Sequence, residues 1–340
     1  PLGKTGIEVS TLGFGAASMG NLYQAVSDEE AKNTLTAAID VGISLFDTAP
    51  RYGAGLSERR VGDALRGLGK KEYILSTKVG RLIKPDPHAD VTQLRHGFAT
   101  PMPFDAQYDY SYDGIMRSFE HSIQRLGLSK IDILYMHDIG RATHGDDHER
   151  LFKIAMEGGY KAMDELRSQG LVSAIGLGVN EFEVCEQAMD HGYFDCFLLA
   201  GRYTLLEQKS LESFLPRCIK ENSSIILGGP YNSGILATGV HKQGVVPHYN
   251  YEPASQSIIK TVARIEEICQ EFNVPLASAA LQFPLAHPAV VSVIPGLSSA
   301  NRVETTFAQM QINIPSAFWL ALQNAGLLYP DVPVPKGTVE

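Results

Sequence analysis

Residues 111–138 read SYDGIMRSFEHSIQRLGLSKIDILYMHD, and this stretch decides the predicted fold. Its first part places apolar residues at the spacing of one helix face. These residues are Ile115, Phe119, Ile123 and Leu126. Its second part, Ile131–His137, is a short and mostly apolar run, as expected for a parallel strand that is covered on both faces. A helix followed by a buried strand is the repeating unit of α/β proteins.

The same alternation continues on both sides of this stretch, about every 30 to 40 residues. Ser27 and Glu30 form a capping-box start of one predicted helix. Eight strands that alternate with helices predict one α/β domain over residues 1–340, a closed (β/α)8 TIM barrel. An open, doubly wound sheet is the alternative. The predicted strands are Thr11–Gly15, Ile43–Asp47, Tyr73–Lys78, Ile131–His137, Val172–Gly178, Phe194–Leu199, Ser224–Gly228 and Val290–Ile294.

The composition excludes several classes of protein. Hydrophobic residues make up 44% of the chain and the net charge is −9, so no global basic field attracts nucleic acid or an anionic membrane surface. No apolar run approaches the roughly 18 residues of a membrane span, and the N-terminus lacks a signal-peptide pattern. The four cysteines form no C-x-x-C pair and are predicted to be buried in a reducing compartment. We therefore expect a cytoplasmic protein that acts on a small molecule, and the oligomeric state stays open.

Two stretches do not follow the alternation. Gly80–Tyr110 and Gly229–Pro253 show no clear period, and both are longer than most loops. Each follows a predicted strand, so in a barrel both lie on the catalytic face, over the active site. Disordered insertion is the alternative, and the aromatic residues in both stretches argue against it.

Four polar residues are predicted to meet at this face. Asp47, Lys78 and His137 each end a predicted strand, and Tyr52 follows Asp47 closely in the loop. An ammonium group near Tyr52 is expected to lower the pKa of the phenol, and Asp47 supplies the counter-charge that a buried lysine requires. Tyr52 then acts as general acid or base, while His137 binds the substrate oxygen. Each residue alone has a structural explanation, but their convergence predicts an active site without a nucleophile or a metal.

The segments that carry these residues resemble the catalytic segments of the aldo-keto reductases. They are FDTAPRYG at 46–53, STKVG at 76–80 and YMHD at 135–138. LGKTGIEVSTLGFGAASMG at 2–20 resembles that family's N-terminal β-hairpin and first strand. The resemblance spans nearly the whole chain in the same order. It implies a nicotinamide cofactor and a catalytic tetrad of Asp47, Tyr52, Lys78 and His137.

Three further segments resemble the cofactor-binding regions of the family: IGLGVN at 175–180, GGPYNSGIL at 228–236 and VIPGLSSANRVETT at 293–306. The resemblance implies that Asn180 binds the nicotinamide carboxamide and that Tyr231 lies against the nicotinamide ring. The adenosine phosphate side is assigned to Gly296, Ser298 and Arg302. Relatives that prefer NADP commonly carry lysine in place of Gly296, and its absence removes one partner of a 2′-phosphate. NAD is therefore favoured, and Arg302 leaves NADP as a second cofactor.

Residues 111–138 and ALQFPLAHPAVVSVIPG at 280–296 resemble the branch that holds D-threo-aldose 1-dehydrogenases (L-fucose dehydrogenases) and pyridoxal 4-dehydrogenases. Both activities oxidise a cyclic hemiacetal to a lactone, which implies that Tyr52 acts as the base. Aldoses such as L-fucose or D-arabinose stand slightly ahead of pyridoxal in this interpretation. Tyr23 and Arg51 are candidate substrate contacts. The alternatives are an NADPH-dependent carbonyl reductase of small aldehydes and a largely non-catalytic cofactor-binding partner, like potassium-channel β subunits.

Two other motifs are set aside. GFGAASMG holds Gly13, Gly15 and Gly20 at a spacing that differs from the dinucleotide fingerprint, so a tight end of the first strand is the better interpretation. His144 and His148 have helical spacing, but no third ligand follows at a plausible distance along the chain. No metal site is predicted.

Overall fold

The computed structural model describes residues 1–68, 73–242 and 244–337 of the chain. In chain order the strands are β1 Phe14–Gly15, β2 Leu45–Asp47, β3 Ile74–Val79, β4 Arg81–Pro85, β5 Phe104–Tyr108, β6 Ile133–His137, β7 Ala174–Val179, β8 Cys196–Ala200, β9 Ser224–Gly228, β10 His248–Tyr249, β11 Glu252–Pro253 and β12 Val290–Ile294. Eight parallel strands form one sheet in the order β1-β2-β3-β6-β7-β8-β9-β12, and the other four form two antiparallel pairs, β4–β5 and β10–β11.

The sheet closes on itself. Parallel bridges join Leu12 to Val293 and Gly15 to Gly296, which connects the first strand to the last. The closed (β/α)8 barrel is therefore confirmed, and the open sheet is excluded. All eight predicted strands are present, although β1 is shorter than the predicted Thr11–Gly15 and begins at Phe14.

Helices alternate with the barrel strands, and helix α1 (Asp28–Asp40) begins at the predicted capping box of Ser27 and Glu30. A π-helical turn at Ala155–Gly159 joins α5 (His148–Ile154) to α6 (Tyr160–Ser168). None of the helices within the described residues is long and apolar enough to cross a membrane. The α-helices are α1 Asp28–Asp40, α2 Leu56–Arg66, α3 Tyr112–Leu126, α4 Arg141–His144, α5 His148–Ile154, α6 Tyr160–Ser168, α7 Glu183–Met189, α8 Phe214–Glu221, α9 Ile235–Thr238, α10 Gln256–Glu271, α11 Leu276–Gln282, α12 Ala300–Met310 and α13 Ser316–Asn324.

The N-terminal residues cover one end of the barrel. The expected hairpin takes the form of a turn, in which the Leu2 N–H donates to the Ile7 carbonyl at 2.8 Å, and residues 1–10 hold no paired strands. Leu2, with Ile7 and Val9, packs against a cluster of barrel-strand side chains that includes Tyr135 and Leu198. Burial of this apolar surface holds the segment in place without a strand ladder. The four cysteines are buried and free, as predicted.

The two long loops contain secondary structure that their sequences did not reveal. Gly80–Tyr110 holds the β4–β5 hairpin, in which Arg81 is opposite Tyr108 and Pro85 is opposite Phe104. Gly229–Pro253 holds helix α9 and the short pair β10–β11. Residue 243 of this loop lies outside the described residues, and so do residues 69–72 and 338–340 of the predicted domain. Alternation is weak in both loops because their strands are short and partly exposed.

Candidate active site

A buried ion pair lies at the carboxyl ends of β2 and β3. The Lys78 ammonium donates to Asp47 Oδ2 at 2.6 Å and to the Thr48 carbonyl at 2.8 Å. Ser76 donates to the other oxygen of Asp47 at 2.7 Å. Burial lowers the pKa of Lys78, but the Asp47 carboxylate and Tyr52 raise it by more, so the net direction is upward. Lys78 is therefore a fixed positive charge at the base of the site.

Tyr52 lies next to this charge. The Lys78 ammonium nitrogen is 4.9 Å from the centroid of the Tyr52 ring, and the His137 ring meets the same tyrosine edge-on with its centroid 6.4 Å away. The structure thus brings Asp47, Tyr52, Lys78 and His137 together, although they come from three different strand ends.

The pKa of Tyr52 differs from the expectation. Burial raises it above its usual value of 10, and the attraction of Lys78 opposes this effect without overcoming it. The predicted net decrease is therefore wrong, because the sequence revealed the nearby ammonium but not the depth of burial. Tyr52 carries its proton at neutral pH.

His137 is neutral. Burial, together with the positive charges of Arg81, Lys78 and Arg51, lowers the pKa of its imidazole well below 6.5. Its Nδ1 atom has no hydrogen-bond partner in the part of the chain that the structure describes, and its Nε2 atom is 3.4 Å from Asp138 Oδ2. A carboxylate neighbour favours the tautomer with hydrogen on Nε2, which is then able to donate to a substrate oxygen.

Asp138 is a site residue that the sequence analysis missed. Its carboxylate pairs with Arg81 and accepts from the Asn180 amide at 3.4 Å. Tyr251, from the second long loop, donates in turn to Asn180 Oδ1 at 3.4 Å. The backbone of Asp138 is left-handed, with φ of 50°, a conformation that is uncommon outside glycine. Its position directly after His137 in YMHD was the available signal.

Two cavities meet at Tyr52. One, of about 470 Å³, is also lined by His137, Asn180 and both candidate substrate contacts, Tyr23 and Arg51. The other, of about 640 Å³, runs from Asp47 and Tyr52 to Gly296. Tyr23 and Tyr251 border both cavities, and each has a left-handed backbone, with φ of 61° and 66°. Such strain in bulky residues is typical of functional sites.

The larger cavity is lined by two of the residues that were predicted to bind the cofactor. Tyr231 lines it, and a Cβ atom at Gly296 would meet nothing within 4 Å. Four other glycines line this cavity, where their lack of a side chain leaves the backbone accessible: Gly15, Gly228, Gly229 and Gly234. Ser298 and Arg302 do not line the cavity but are exposed near the N-terminus of α12, which is a favourable place for a phosphate.

The two motifs that were set aside have structural roles. A Cβ atom at Gly13 would lie 2.6 Å from the Ile294 side chain, which agrees with a tight end of the first strand. His144 Nε2 contacts the Tyr110 hydroxyl at 3.0 Å, and His148 Nδ1 contacts the Ile139 carbonyl at 3.1 Å. Within the described ranges, no group of three or more histidine, cysteine or acidic side chains is arranged to hold a metal.

Known proteins with similar sequences cover almost the whole chain. The sequence profile of the Aldo/keto reductase family matches residues 11–326. Pyridoxal 4-dehydrogenase of Microbacterium luteolum is 42% identical over 96% of this chain and 97% of its own length. D-threo-aldose 1-dehydrogenase of a Pseudomonas species is 37% identical over 95% of this chain and 96% of its own. A solved aldo-keto reductase from Bacillus halodurans shares the fold, with a TM-score of 0.72 at 24% identity over 97% of this chain and 96% of that chain.

Proposed function

Because this chain belongs to the aldo/keto reductase family and is a nicotinamide-dependent oxidoreductase of CH–OH groups, we propose that it oxidises a cyclic hemiacetal to a lactone. The observation that carries this proposal is the position of Tyr52. Its phenol lies at the junction of the two cavities, beside a buried ammonium and a neutral imidazole. A proton donor or acceptor at such a junction reaches both a substrate and a cofactor.

In the oxidative direction, the phenolate form of Tyr52, a minor form at neutral pH, accepts the proton of the hemiacetal hydroxyl, and His137 Nε2 donates a hydrogen bond to the same oxygen. The hydrogen on the anomeric carbon leaves with its electron pair as the new C=O bond forms. A bound nicotinamide supplies the acceptor for this hydride. Lys78, kept charged by Asp47, stabilises the phenolate form of Tyr52. Hemiacetal and NAD⁺ thus become lactone, NADH and one proton.

The cofactor is proposed to be NAD, with Asn180 and Tyr231 at the nicotinamide and Gly296, Ser298 and Arg302 at the adenosine side. Gly296 places no positive charge beside the ribose, whereas a 2′-phosphate is normally bound by such charges. Arg302 is exposed and near the Tyr231 phenol, whose pKa it lowers against the larger effect of burial. Arg302 alone supports a weaker use of NADP.

The substrate is proposed to be pyridoxal, with aldoses as the second candidate. Besides Tyr52, four aromatic side chains line the smaller cavity, and flat faces of this kind suit a pyridine ring. They are Tyr23, Phe98, Tyr108 and Tyr251. The 42% identity to a pyridoxal 4-dehydrogenase also favours pyridoxal, and it reverses the slight preference for aldoses that the sequence analysis gave. The 37% identity to a D-threo-aldose 1-dehydrogenase keeps L-fucose and D-arabinose as the specific alternative.

NAD reduction, followed by absorbance, tests this function. Pyridoxal, L-fucose and D-arabinose are supplied separately, each with NAD and in parallel with NADP, and the product is identified as lactone by mass. Turnover of one class with NAD is the expected result. Faster NADPH-dependent reduction of small aldehydes would support a carbonyl reductase instead. Tight cofactor binding without turnover of any substrate would support a cofactor-binding partner protein.

A further inference from the structure

The cavity of about 470 Å³, which we propose binds the substrate, has a side lobe that the reaction at Tyr52 does not explain. This lobe, of about 280 Å³, lies between the loop that carries Tyr52 and the β4–β5 hairpin, including the long loop that joins the two strands of the hairpin. Arg95, Phe104 and Ala106 line its far part. Five residues border both spaces and join them: Arg51, Arg81, His96, Phe98 and Tyr108. A substituent of a bound substrate is therefore able to extend from the catalytic centre into the lobe.

Most charged side chains of the lobe already have partners. Arg81 pairs with Asp138 and lies 4.7 Å from the centroid of the Tyr108 ring. Arg95 pairs with Asp86 at 2.8 Å. These two guanidinium groups are structural, because each is neutralised by a carboxylate of its own.

Arg51 is different. It is partly buried, and among the described residues its guanidinium makes one hydrogen bond, a long one of 3.5 Å to the His96 carbonyl. No carboxylate within the described residues lies in ion-pair distance of it. Asp105, the acidic residue that lines the lobe, lies 3.4 Å from His96 Nε2 instead.

A guanidinium that is partly removed from water without an anion is costly, and proteins rarely keep one without a use. Its planar fork of donors matches the oxygens of a carboxylate, phosphate or phenolate. Arg51 and Arg81 line the same cavity as Tyr52 and His137, and their positive charges lower the pKa of His137 in addition to the larger effect of burial.

We propose that Arg51 binds an anionic oxygen substituent of the substrate, so that the enzyme prefers hemiacetals that carry such an oxygen over those that lack one. This inference rests on the proposed hemiacetal oxidation and narrows its substrate class. The anionic oxygen has two sources. A phenolate on the ring, as in pyridoxal at neutral pH, would meet Arg51 at the entrance of the lobe. A phosphate at the end of an aldose chain would occupy the lobe itself.

Matched substrates separate these sources. Pyridoxal is compared with its 3-O-methyl ether, and D-arabinose 5-phosphate with D-arabinose, in the wild type and in Arg51→Gln and Arg51→Lys. Arg59→Gln is the control, because Arg59 is an exposed arginine of the neighbouring helix α2 and lines neither space. Within one pair, we expect Arg51→Gln to lower the ratio of kcat/KM for the member with the anionic oxygen to kcat/KM for the member without it by about 10- to 100-fold. Arg51→Lys is expected to restore part of the ratio, and Arg59→Gln to leave it unchanged.

Binding without turnover gives an independent test. The protein saturated with NAD is titrated by calorimetry with inorganic phosphate at constant ionic strength. Weaker binding in Arg51→Gln than in the wild type and Arg59→Gln supports the site. Equal binding in all three, together with equal substrate ratios, overturns it, even if neutral hemiacetals are oxidised. Absence of turnover on every hemiacetal would overturn the proposed function, while the calorimetric comparison would still decide the role of Arg51.

Discussion

Gly20 packs so closely against Tyr52 that a Cβ atom at Gly20 would lie 2.5 Å from the Tyr52 carbonyl carbon. Gly53, the residue after Tyr52, packs equally closely against Gly20, since a Cβ atom at Gly53 would lie 2.4 Å from the Gly20 carbonyl oxygen. Ser57 strengthens the same junction by donating to the Ala16 carbonyl at 2.7 Å. The loop after β1 therefore positions the loop that carries Tyr52.

Gly20→Ala is expected to reduce turnover although Gly20 contributes no functional group. The methyl group has only backbone to displace, so the Tyr52 loop must move, and a misplacement of about 1 Å costs on the order of 100-fold in rate. Steady-state kinetics and the cofactor Kd measure the effect. Gly67→Ala is the control, because its Cβ atom would make only an ordinary contact of 3.5 Å. Wild-type kcat in Gly20→Ala would show that the close packing does not position Tyr52.

Tyr52→Phe is expected to keep cofactor binding and to lower kcat by roughly 100- to 10,000-fold, because only the transferable proton is removed. Fluorescence titration of the cofactor and steady-state turnover separate these two effects. Tyr329→Phe, in an exposed tyrosine that contacts Glu212, controls for loss of a phenol elsewhere. Turnover near the wild-type level in Tyr52→Phe would remove Tyr52 from the mechanism.

The pH dependence should differ between the two directions of reaction. Burial holds the pKa of Tyr52 above 10, so the fraction of phenolate rises about tenfold per pH unit between pH 7 and 9. Oxidation needs the phenolate and should accelerate across this range, whereas reduction needs the phenol and should stay level. His137 adds no inflection there, because its pKa lies well below 6.5. Profiles of kcat/KM in both directions test this, and an oxidation rate that is level with pH would contradict it.

Gly296→Lys should move cofactor preference towards NADP. A side chain at Gly296 enters open space, so the ammonium is free to reach a 2′-phosphate. We expect the ratio of kcat/KM with NADP to that with NAD to rise about tenfold or more, as one added charge-assisted contact gives. Gly296→Gln has similar length without the charge and should leave the ratio near its wild-type value. An equal rise of this ratio in both variants would show that a longer side chain, and not its positive charge, changes the cofactor preference.

His287 should make the protein less stable in acid. It is 4% exposed, accepts the Ala289 N–H on Nδ1 at 3.2 Å, and has its pKa lowered by burial to about 4. The unfolded chain takes up this proton near pH 6.5 and the folded protein only near 4. The free energy of unfolding therefore falls as the pH drops through that window, by about 3 kcal/mol in total from this group.

Denaturant titrations at pH 7 and pH 4.5 measure this loss in the wild type and in His287→Asn, which keeps an acceptor but not the titration. The variant should lose less free energy between the two pH values than the wild type does. His241→Asn, in an exposed histidine, controls for the removal of an imidazole. Identical losses in the wild type and His287→Asn would show that His287 is not the group responsible.

The sequence alone determined the order of the barrel strands and which polar residues end them. A local pattern was enough to predict the strand Ile131–His137, because a strand covered on both faces must be apolar along its length. The helix before it was predicted from the spacing of its apolar residues. Once eight such strands were recognised, Asp47, Lys78 and His137 had to meet at one edge, since parallel strands share their carboxyl ends. The spacing of apolar residues and the side-chain chemistry within each segment were sufficient to predict this convergence.

Only the tertiary structure decided what surrounds those residues. Tyr251 reaches Asn180 across 71 positions of sequence, and Arg81 reaches Asp138 across 57, and no local pattern encodes such contacts. The protonation of Tyr52 depends on how much water the folded loops exclude, which outweighs the neighbouring charge that the sequence shows. Only the structure shows that Arg51 lines the lobe together with the β4–β5 hairpin and has no carboxylate partner within the described residues. Contacts between loops depend on the packing of residues that are far apart in the sequence. For that reason the sequence predicted the catalytic side chains of this site but not the residues that surround them.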